Sequence, residues 1–378
     1  MDDRHNKQGR RQFLKLGAGA VGAGVASMFV PGLANNAFAA THPMDQALIA
    51  AAKKDGGLNT IALPPDWANY RKMISEFERL YGIRIHNASP DASSAQELQA
   101  IRSLKGQRRG PDVVDVGPSF ALIGAAEGLF QPYKVSTWSS IPDNMKDAGG
   151  MWYGDYFGVE SFGVNRSVVK NAPMTWNDLL KPEYKGMVTL NGSPLGAGAA
   201  FGAVFAAAMA NGGSLDDIGP GIEFFAKLAK AGNFNPSDAT SASLVSGQTP
   251  SVVNWDYLNL AQANKNKGMV QIDVLIPEGA APYGGYYCQA ISKYAPNLKA
   301  AQLWEEFVYS DAGQLIYLEG YAHPARFSDM VSRGVVPEKM LKELPPAAPY
   351  KHVQFPNKAQ TEKAQNLLKT EWTKMVKV

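Results

Sequence analysis

Apolar residues recur at two spacings along this chain, and the alternation between them predicts its layout. Leu58 to Leu63 is a short apolar run that reads as a buried strand, and Pro64-Pro65-Asp66 ends it. Trp67, Tyr70, Ile74, Phe77 and Tyr81 follow at three- and four-residue steps, the spacing of an amphipathic helix, which Gly82 stops. Ile83-Arg84-Ile85 opens a second strand, a helix carrying Leu98, Ile101 and Leu104 runs to Gly106, and Pro111 to Val116 forms a third strand. This βαβαβ order predicts an α/β fold with a mainly parallel, helix-covered sheet.

A second unit begins after Phe157. Gly158 to Asn165 reads as extended chain, Trp176 to Leu180 as a short helix, Met187 to Leu190 as a strand and Gly196 to Ala210 as a helix of small residues. Ile222 to Ala231 is amphipathic, and Ser251 to Trp255 and Val270 to Ile276 are strands. Beyond Gln289, the spacing of Leu298, Ala301, Trp304 and Phe307 predicts a longer helix, and Ser310-Asp311 caps its successor. Pro345 to Pro349 reads as a linker before a last helix from Lys358 to Val376.

With 45% hydrophobic and 19% charged residues, 37 Gly, 24 Pro and one Cys in 378 residues, the chain is neither disordered, collagen-like nor disulfide-stapled. Its formal charge of +3 belongs to the start of the chain. Residues 1–39 hold five of the 37 Lys and Arg and two of the 34 Asp and Glu, which leaves 32 of each sign. No basic field for nucleic acid survives, and Lys105, Arg108 and Arg109 read as a solvated helix end.

The opening segment carries a specific signal. Arg10-Arg11-Gln12-Phe13-Leu14-Lys15, an apolar run from Leu16 to Val30 and the small-x-small site Ala37-Phe38-Ala39 resemble a twin-arginine export signal. The run is shorter than the roughly 20 residues that span a bilayer. Residues 1–39 are thus expected to be a cleaved leader, with the mature protein free in the periplasm and not inserted in a membrane. Cys288 cannot form an internal disulfide and reads as a buried apolar side chain.

Catalytic patterns are missing. Gly17 to Gly22 fits a dinucleotide fingerprint by letter, but no strand precedes it and it lies in the leader. There is no Walker lysine motif, G-x-S-x-G or HExxH, and His42, His86, His323 and His352 are scattered singly. No enzyme activity, cofactor or metal is expected. The candidates are instead polar and aromatic residues at strand ends, where open α/β sheets place ligands. They are Asp66 and Trp67, Ser119, Glu160, Ser193 and Gly196 in the turn Asn191 to Gly198, Trp255, Asp256, Tyr257 and, in Tyr283-Gly284-Gly285-Tyr286, Tyr286.

Each has two readings. The turn Gly192 to Gly198 before a helix offers free N–H groups to a phosphate, phosphonate or carboxylate, or else its glycines allow close packing and Ser193 is an N-cap. Asp66 is either a cation partner or a helix cap. Trp67 and Trp255 either pack on a ligand cation or belong to the core. Asp256 beside Trp255 favours function, since an acid there is costly to bury without a partner. For Glu160, Ser119, Tyr257 and Tyr286, a solvent-facing, capping or packing role is equally open.

The phrases Trp176-Asn177-Asp178-Leu179-Leu180-Lys181-Pro182-Glu183-Tyr184-Lys185-Gly186, Phe162-Gly163-Val164-Asn165 and Val253-Asn254-Trp255 resemble periplasmic solute-binding proteins of ABC importers. Within that superfamily the chain is similar to the branch of spermidine/putrescine, ferric-ion, thiamine and 2-aminoethylphosphonate binders. The resemblance implies a two-lobed type II periplasmic-binding-protein fold, each lobe a mixed, mainly parallel sheet covered by helices and joined by hinge strands. Lobe 1 is expected over 40–157 plus about 287–322, and lobe 2 over 158–286 plus about 323–378.

The implied function is that of a monomeric receptor. It would capture a small amine-bearing solute, polyamine-like or aminophosphonate-like, by hinge closure and deliver it to an inner-membrane permease and its ATPase. Asn191-Gly192-Ser193 stands where polyamine binders have aspartate, which weakens spermidine as the ligand. A ferric-ion receptor is the alternative, but the resemblance places two adjacent tyrosines of that group at the turn that here reads Asn254-Trp255-Asp256-Tyr257, so one phenolate is missing. Tyr286-Tyr287 would point to opposite faces of a strand. An exported enzyme on the same scaffold is the remaining option.

Overall fold

Residues 44–343, 350 and 352–377 are described by the computed structural model; the expected leader and the Pro345-to-Pro349 linker lie outside the described residues. Helix α1 (Gln46–Asp55) precedes strand β1 (Leu58–Ile61), helix α2 (Tyr70–Tyr81), strand β2 (Ile85–Ala88), helix α3 (Ser94–Ser103), strand β3 (Val113–Val116), helix α4 (Pro118–Ala126) and strand β4 (Phe130–Gln131). The helical spacing is realised in α2, which buries Tyr70, Met73, Phe77 and Tyr81. Gly82 ends it with φ 67°, a left-handed conformation that costs glycine nothing.

Helix α2 starts later than the spacing from Trp67 predicts. Ala68 and Asn69 have φ of 45° and 63°, and the Trp67 N–H donates to the Pro64 carbonyl at 3.0 Å, so Trp67 sits in a turn. Asn69, not Asp66, is the cap residue. Trp67 is thereby taken off the helix face and its indole turns toward the strand ends.

Strand β5 (Tyr153–Asn165) is followed by a short 3-10 helix at Trp176–Leu180, then β6 (Val188–Leu190), α5 (Gly198–Ala210), α6 (Gly219–Lys230), α7 (Ser241–Ser246), β7 (Ser251–Trp255), α8 (Asp256–Lys265), β8 (Ile272–Leu275) and β9 (Gly284–Ser292). The chain continues through α9 (Leu298–Val308), α10 (Asp311–Glu319), β10 (His323–Pro324), α11 (Phe327–Ser332), α12 (Glu338–Glu343) and α13 (Lys358–Met375). Ser310 caps α10 as expected, its Oγ accepting from the Gly313 N–H at 3.1 Å. Helix α5 is apolar on every side, so almost all of it is buried.

The main sheet has the order β3-β9-β5-β7-β6, with β4 on β9 and with β8 and β10 on β5. Tyr153 to Val159 of β5 pair with β9, whereas Glu160 to Val164 pair with β7, so one strand serves both halves of the molecule. Among the described residues two strand pairs are parallel, β1–β2 and β6–β7, and six are antiparallel. This corrects the expected mainly parallel pairing: β5 runs from one half into the other, and both β5 and β9 run against the strands they meet.

Residues from 323 onward were expected in the second lobe. Instead β10 pairs with Tyr156 and Phe157, and the Arg326 guanidinium, 2% exposed, donates to Tyr309 O and Ser140 Oγ at 2.6 Å each. Residues 323–326 therefore pack on the first half, where Asp311 answers the buried Arg326 charge at 3.1 Å.

Candidate functional site

The ends of β1 and β3 and the start of α3 face the turn between β6 and α5 across a cavity of about 250 Å³. Trp67, Ser94, Glu97 and Asp115 line one wall, Asn191, Gly192 and Gly196 to Ala199 line the other, and Tyr287 of β9 closes the back. A wider hollow of about 770 Å³ lies between the loops 276–282 and 352–354. Its ionisable residues, Glu278 and His352, are exposed, so it lacks the desolvated polar groups that fix a ligand's orientation.

The cavity's strongest chemical feature is a pair of buried acids. Glu97 is 1% exposed and Asp115 5% exposed. Glu97 Oε2 accepts the backbone N–H of Asp115 itself at 3.0 Å, which ties the two residues together. Asp115 Oδ2 accepts the Tyr70 hydroxyl at 2.7 Å and the Tyr156 hydroxyl at 3.3 Å, while Oδ1 has no hydrogen-bond partner among the described residues. Burial pushes both carboxyls well above the usual range, and neighbouring acids add to it: Asp115 acts on Glu97, and Asp155 on Asp115.

Behind Asp115 the polar groups interlock. The Tyr317 hydroxyl donates to Asp155 Oδ2 at 2.9 Å, and Gln289 Nε2 reaches both Asp155 Oδ2 and the Tyr70 oxygen at 3.1 Å. Burial raises Asp155 to about 6. The network fixes Asp115 from behind through its Oδ2.

The opposite wall is a helix start without a side-chain cap. Helix α5 begins after Ala197, whose side chain caps nothing, so the first-turn N–H groups lack a capping acceptor. A Cβ on Gly198 would lie 3.3 Å from the Tyr287 hydroxyl, so glycine there lets β9 and α5 touch. Tyr287 stacks on Tyr156 with centroids 5.6 Å apart, and Trp67 meets Tyr287 edge-on at 5.6 Å while donating its N–H to the Tyr156 hydroxyl at 2.7 Å. A smaller chamber of about 50 Å³ adjoins this wall and is lined by Ser119, Phe120, Phe201, Trp255, Tyr283 and Tyr286.

Residues 110–356 match the family of bacterial extracellular solute-binding proteins. The chain belongs to this family. A periplasmic protein of Salmonella typhimurium whose name proposes 2-aminoethylphosphonate binding is 33% identical over 171 residues, which is 44% of this chain and 48% of that protein. The match thus spans about half the length of that curated relative. The fold is that of a periplasmic binding protein of Actinobacillus pleuropneumoniae solved with fructose-6-phosphate, at a TM-score of 0.65 and 17% identity over 84% of this chain and 99% of that one. The spermidine/putrescine-binding protein of Streptococcus pneumoniae aligns with a TM-score of 0.60 and 16% identity, covering 85% and 99% of the two chains. Two lobes of the type II periplasmic-binding-protein class are therefore the architecture of this solute-binding protein.

Of the residues singled out in the sequence, Trp67 and Gly196 line the main cavity, and Ser119, Trp255 and Tyr286 line the smaller chamber. Ser119 does not cap α4, whose N-cap is Gly117. The Trp255 ring lies flat over Gly285, where a Cβ would come within 2.1 Å of it. The Tyr286 hydroxyl donates to Asn144 O at 3.3 Å, away from Tyr287, so the two tyrosines take opposite faces of β9.

The other five lie outside both spaces. Asp66 is 60% exposed and pairs with Arg71 at 3.0 Å and Lys265 at 3.1 Å, chiefly Arg71 holding its carboxyl below the usual range. Ser193 is exposed, and its Oγ accepts the Leu195 N–H at 3.3 Å. Asp256 is buried, its Oδ1 accepting the Val159 N–H at 3.0 Å and its Oδ2 the Tyr350 hydroxyl; burial raises it to about 6. Tyr257 is buried behind Trp67, against whose ring it packs edge-on at 6.1 Å. Glu160 is 2% exposed beneath α5, with neither carboxyl oxygen hydrogen-bonded among the described residues.

Sequence reasoning missed Ser94, Glu97, Asp115 and Tyr287, whereas Asn191 and Gly192 belong to the turn it singled out. A signal existed for two of the missed residues. Ser94, Glu97, Leu98 and Ile101 share one helical face, so an acid lies on an apolar stripe, and Asp115 interrupts the apolar run Val113 to Val116.

Proposed function

We propose that this protein is a periplasmic receptor that captures a small zwitterion, with an ammonium group at one end and a phosphonate or similar anion at the other. It would hand the solute, chemically unchanged, to an inner-membrane ABC permease and its ATPase. One observation carries the reading: two buried acids stand on one wall of the cavity and an uncapped helix start on the other. Glu97 and Asp115 would take the ammonium group, and the N–H groups at the start of α5 the anion. The name of the Salmonella relative supports an aminophosphonate. The paired arginines of the leader support twin-arginine export to the periplasm, and closure of the two lobes on the solute completes the proposal.

Calorimetric titration tests it with 2-aminoethylphosphonate, spermidine, inorganic phosphate and ferric ion. The aminophosphonate is expected to bind tightest and to raise the melting temperature, because it binds only the folded chain. Asp115→Asn should weaken that binding by about tenfold to a hundredfold, the worth of a charge-assisted hydrogen bond of about 1.5–3 kcal/mol. Tighter binding of spermidine or ferric ion, or unchanged affinity in the variant, defeats the proposal.

A further inference from the structure

We infer that in the ligand-free protein at least one of the two carboxyls Glu97 and Asp115 holds a proton, and that a ligand's ammonium group displaces it, so that capture releases a proton to solvent. The inference rests on the zwitterion reading above and adds a linkage that it does not contain. Its basis is geometric. The two carboxyls are nearly sealed from water, they line one cavity wall, and the backbone N–H of one residue is bonded to the side chain of the other.

The groups that face them supply no counter-charge. They are Tyr70 of α2, Tyr156 and Asp155 of β5, Tyr257 of α8, Tyr287 and Cys288 of β9, Glu305 of α9 and Tyr317 of α10, with the exposed Asp91 at the cavity edge. All are acids, a thiol or neutral hydroxyls, and among the described residues no Lys, Arg or His lines the cavity. Two carboxylates in one desolvated site cannot both stay ionised without a cation, so one keeps its proton. Asp115 Oδ1, buried and unpartnered among the described residues, offers the place where an arriving N–H group can bond. The exchange balances: protonated carboxyl plus alkylammonium gives carboxylate–ammonium pair plus one free proton.

The sign follows from linkage. Ligand binds the deprotonated pair, so affinity climbs with pH while the free protein still carries the proton, by up to about tenfold per pH unit, and levels off once it does not. Titrating the protein with 2-aminoethylphosphonate in buffers of different ionisation heat should show about one proton released per ligand. Ethylphosphonate, which lacks the ammonium group, reports the exchange of the phosphonate alone and should show none beyond it. Aminophosphonate binding with no extra proton release overturns the inference and leaves the proposed ligand standing.

If neither phosphonate binds, the ligand assignment falls, and infrared spectroscopy of the free protein decides the proton separately. The protonated-carboxyl band at neutral pH should shrink in the double variant Glu97→Gln with Asp115→Asn, with a melting curve checking that it is folded. An unchanged band in the folded double variant refutes the held proton whatever the ligand is.

Discussion

Glu160 offers the sharpest test of how burial is tolerated in this fold. Its carboxyl lies under α5, where a Cβ on Gly202 would come within 2.6 Å of Oε1, and neither oxygen has a hydrogen-bond partner among the described residues. Burial first, and the nearby Asp256 second, push it well above the ordinary 4.5. An acid raised in the folded state binds its proton there and releases it on unfolding. Its contribution to stability is therefore full below about 4.5 and is lost as pH rises toward the folded value. While the carboxyl stays protonated, each pH unit removes up to about 1.4 kcal/mol. Glu160→Gln keeps the shape and cannot ionise, so the variant should be free of this loss. Urea denaturation of both proteins at pH 5, 6 and 7 should show the variant gaining on the parent, by up to about 3 kcal/mol across that span. A constant difference at all three pH values would mean that Glu160 is solvated or paired in the native state, and the reasoning would fail.

Gly285→Ala should destabilise the protein by about 1–3 kcal/mol, because the new methyl meets the Trp255 ring within 2.1 Å; an unchanged melting temperature would contradict that contact. Asp66→Ala should change stability by less than about 1 kcal/mol and leave ligand affinity intact, since its two ion pairs are exposed; a large loss in either titration or melting would place Asp66 in the site after all. Arg326→Ala should cost about 1.5–3 kcal/mol by removing a buried guanidinium and leaving the Tyr309 carbonyl and Ser140 hydroxyl without their donor, while Asp311 keeps Arg333, measured by the denaturation midpoint.

The fold was legible where local pattern decides it. The α2 stripe, the run Ser251 to Trp255 and the Ser310 cap depend on neighbours within a few residues, and each is present in the structure. What the pattern could not show is pairing sense, because whether β9 runs with or against β3 depends on a strand almost two hundred residues away. The site was half legible for a similar reason. Trp67 and Gly196 flank obvious breaks in the pattern, whereas Glu97 and Asp115 sit inside regular elements and gain meaning only when β3 and α3 are brought together. Asp256 misled in the opposite direction: an acid beside an aromatic at a strand end does need a partner, but Val159 and Tyr350 supply it from within the protein.

Helix α13 packs against both α6, beside the turn-bearing wall of the cavity, and α4, just beyond the acidic one. Helix α13 is thus a tie between two helices on either side of the cavity rather than an appendage. Any widening of the gap must peel it from one neighbour or drag it over the other. Shortening the protein at its C-terminal end should accordingly loosen the jaws before it disturbs anything that touches the solute.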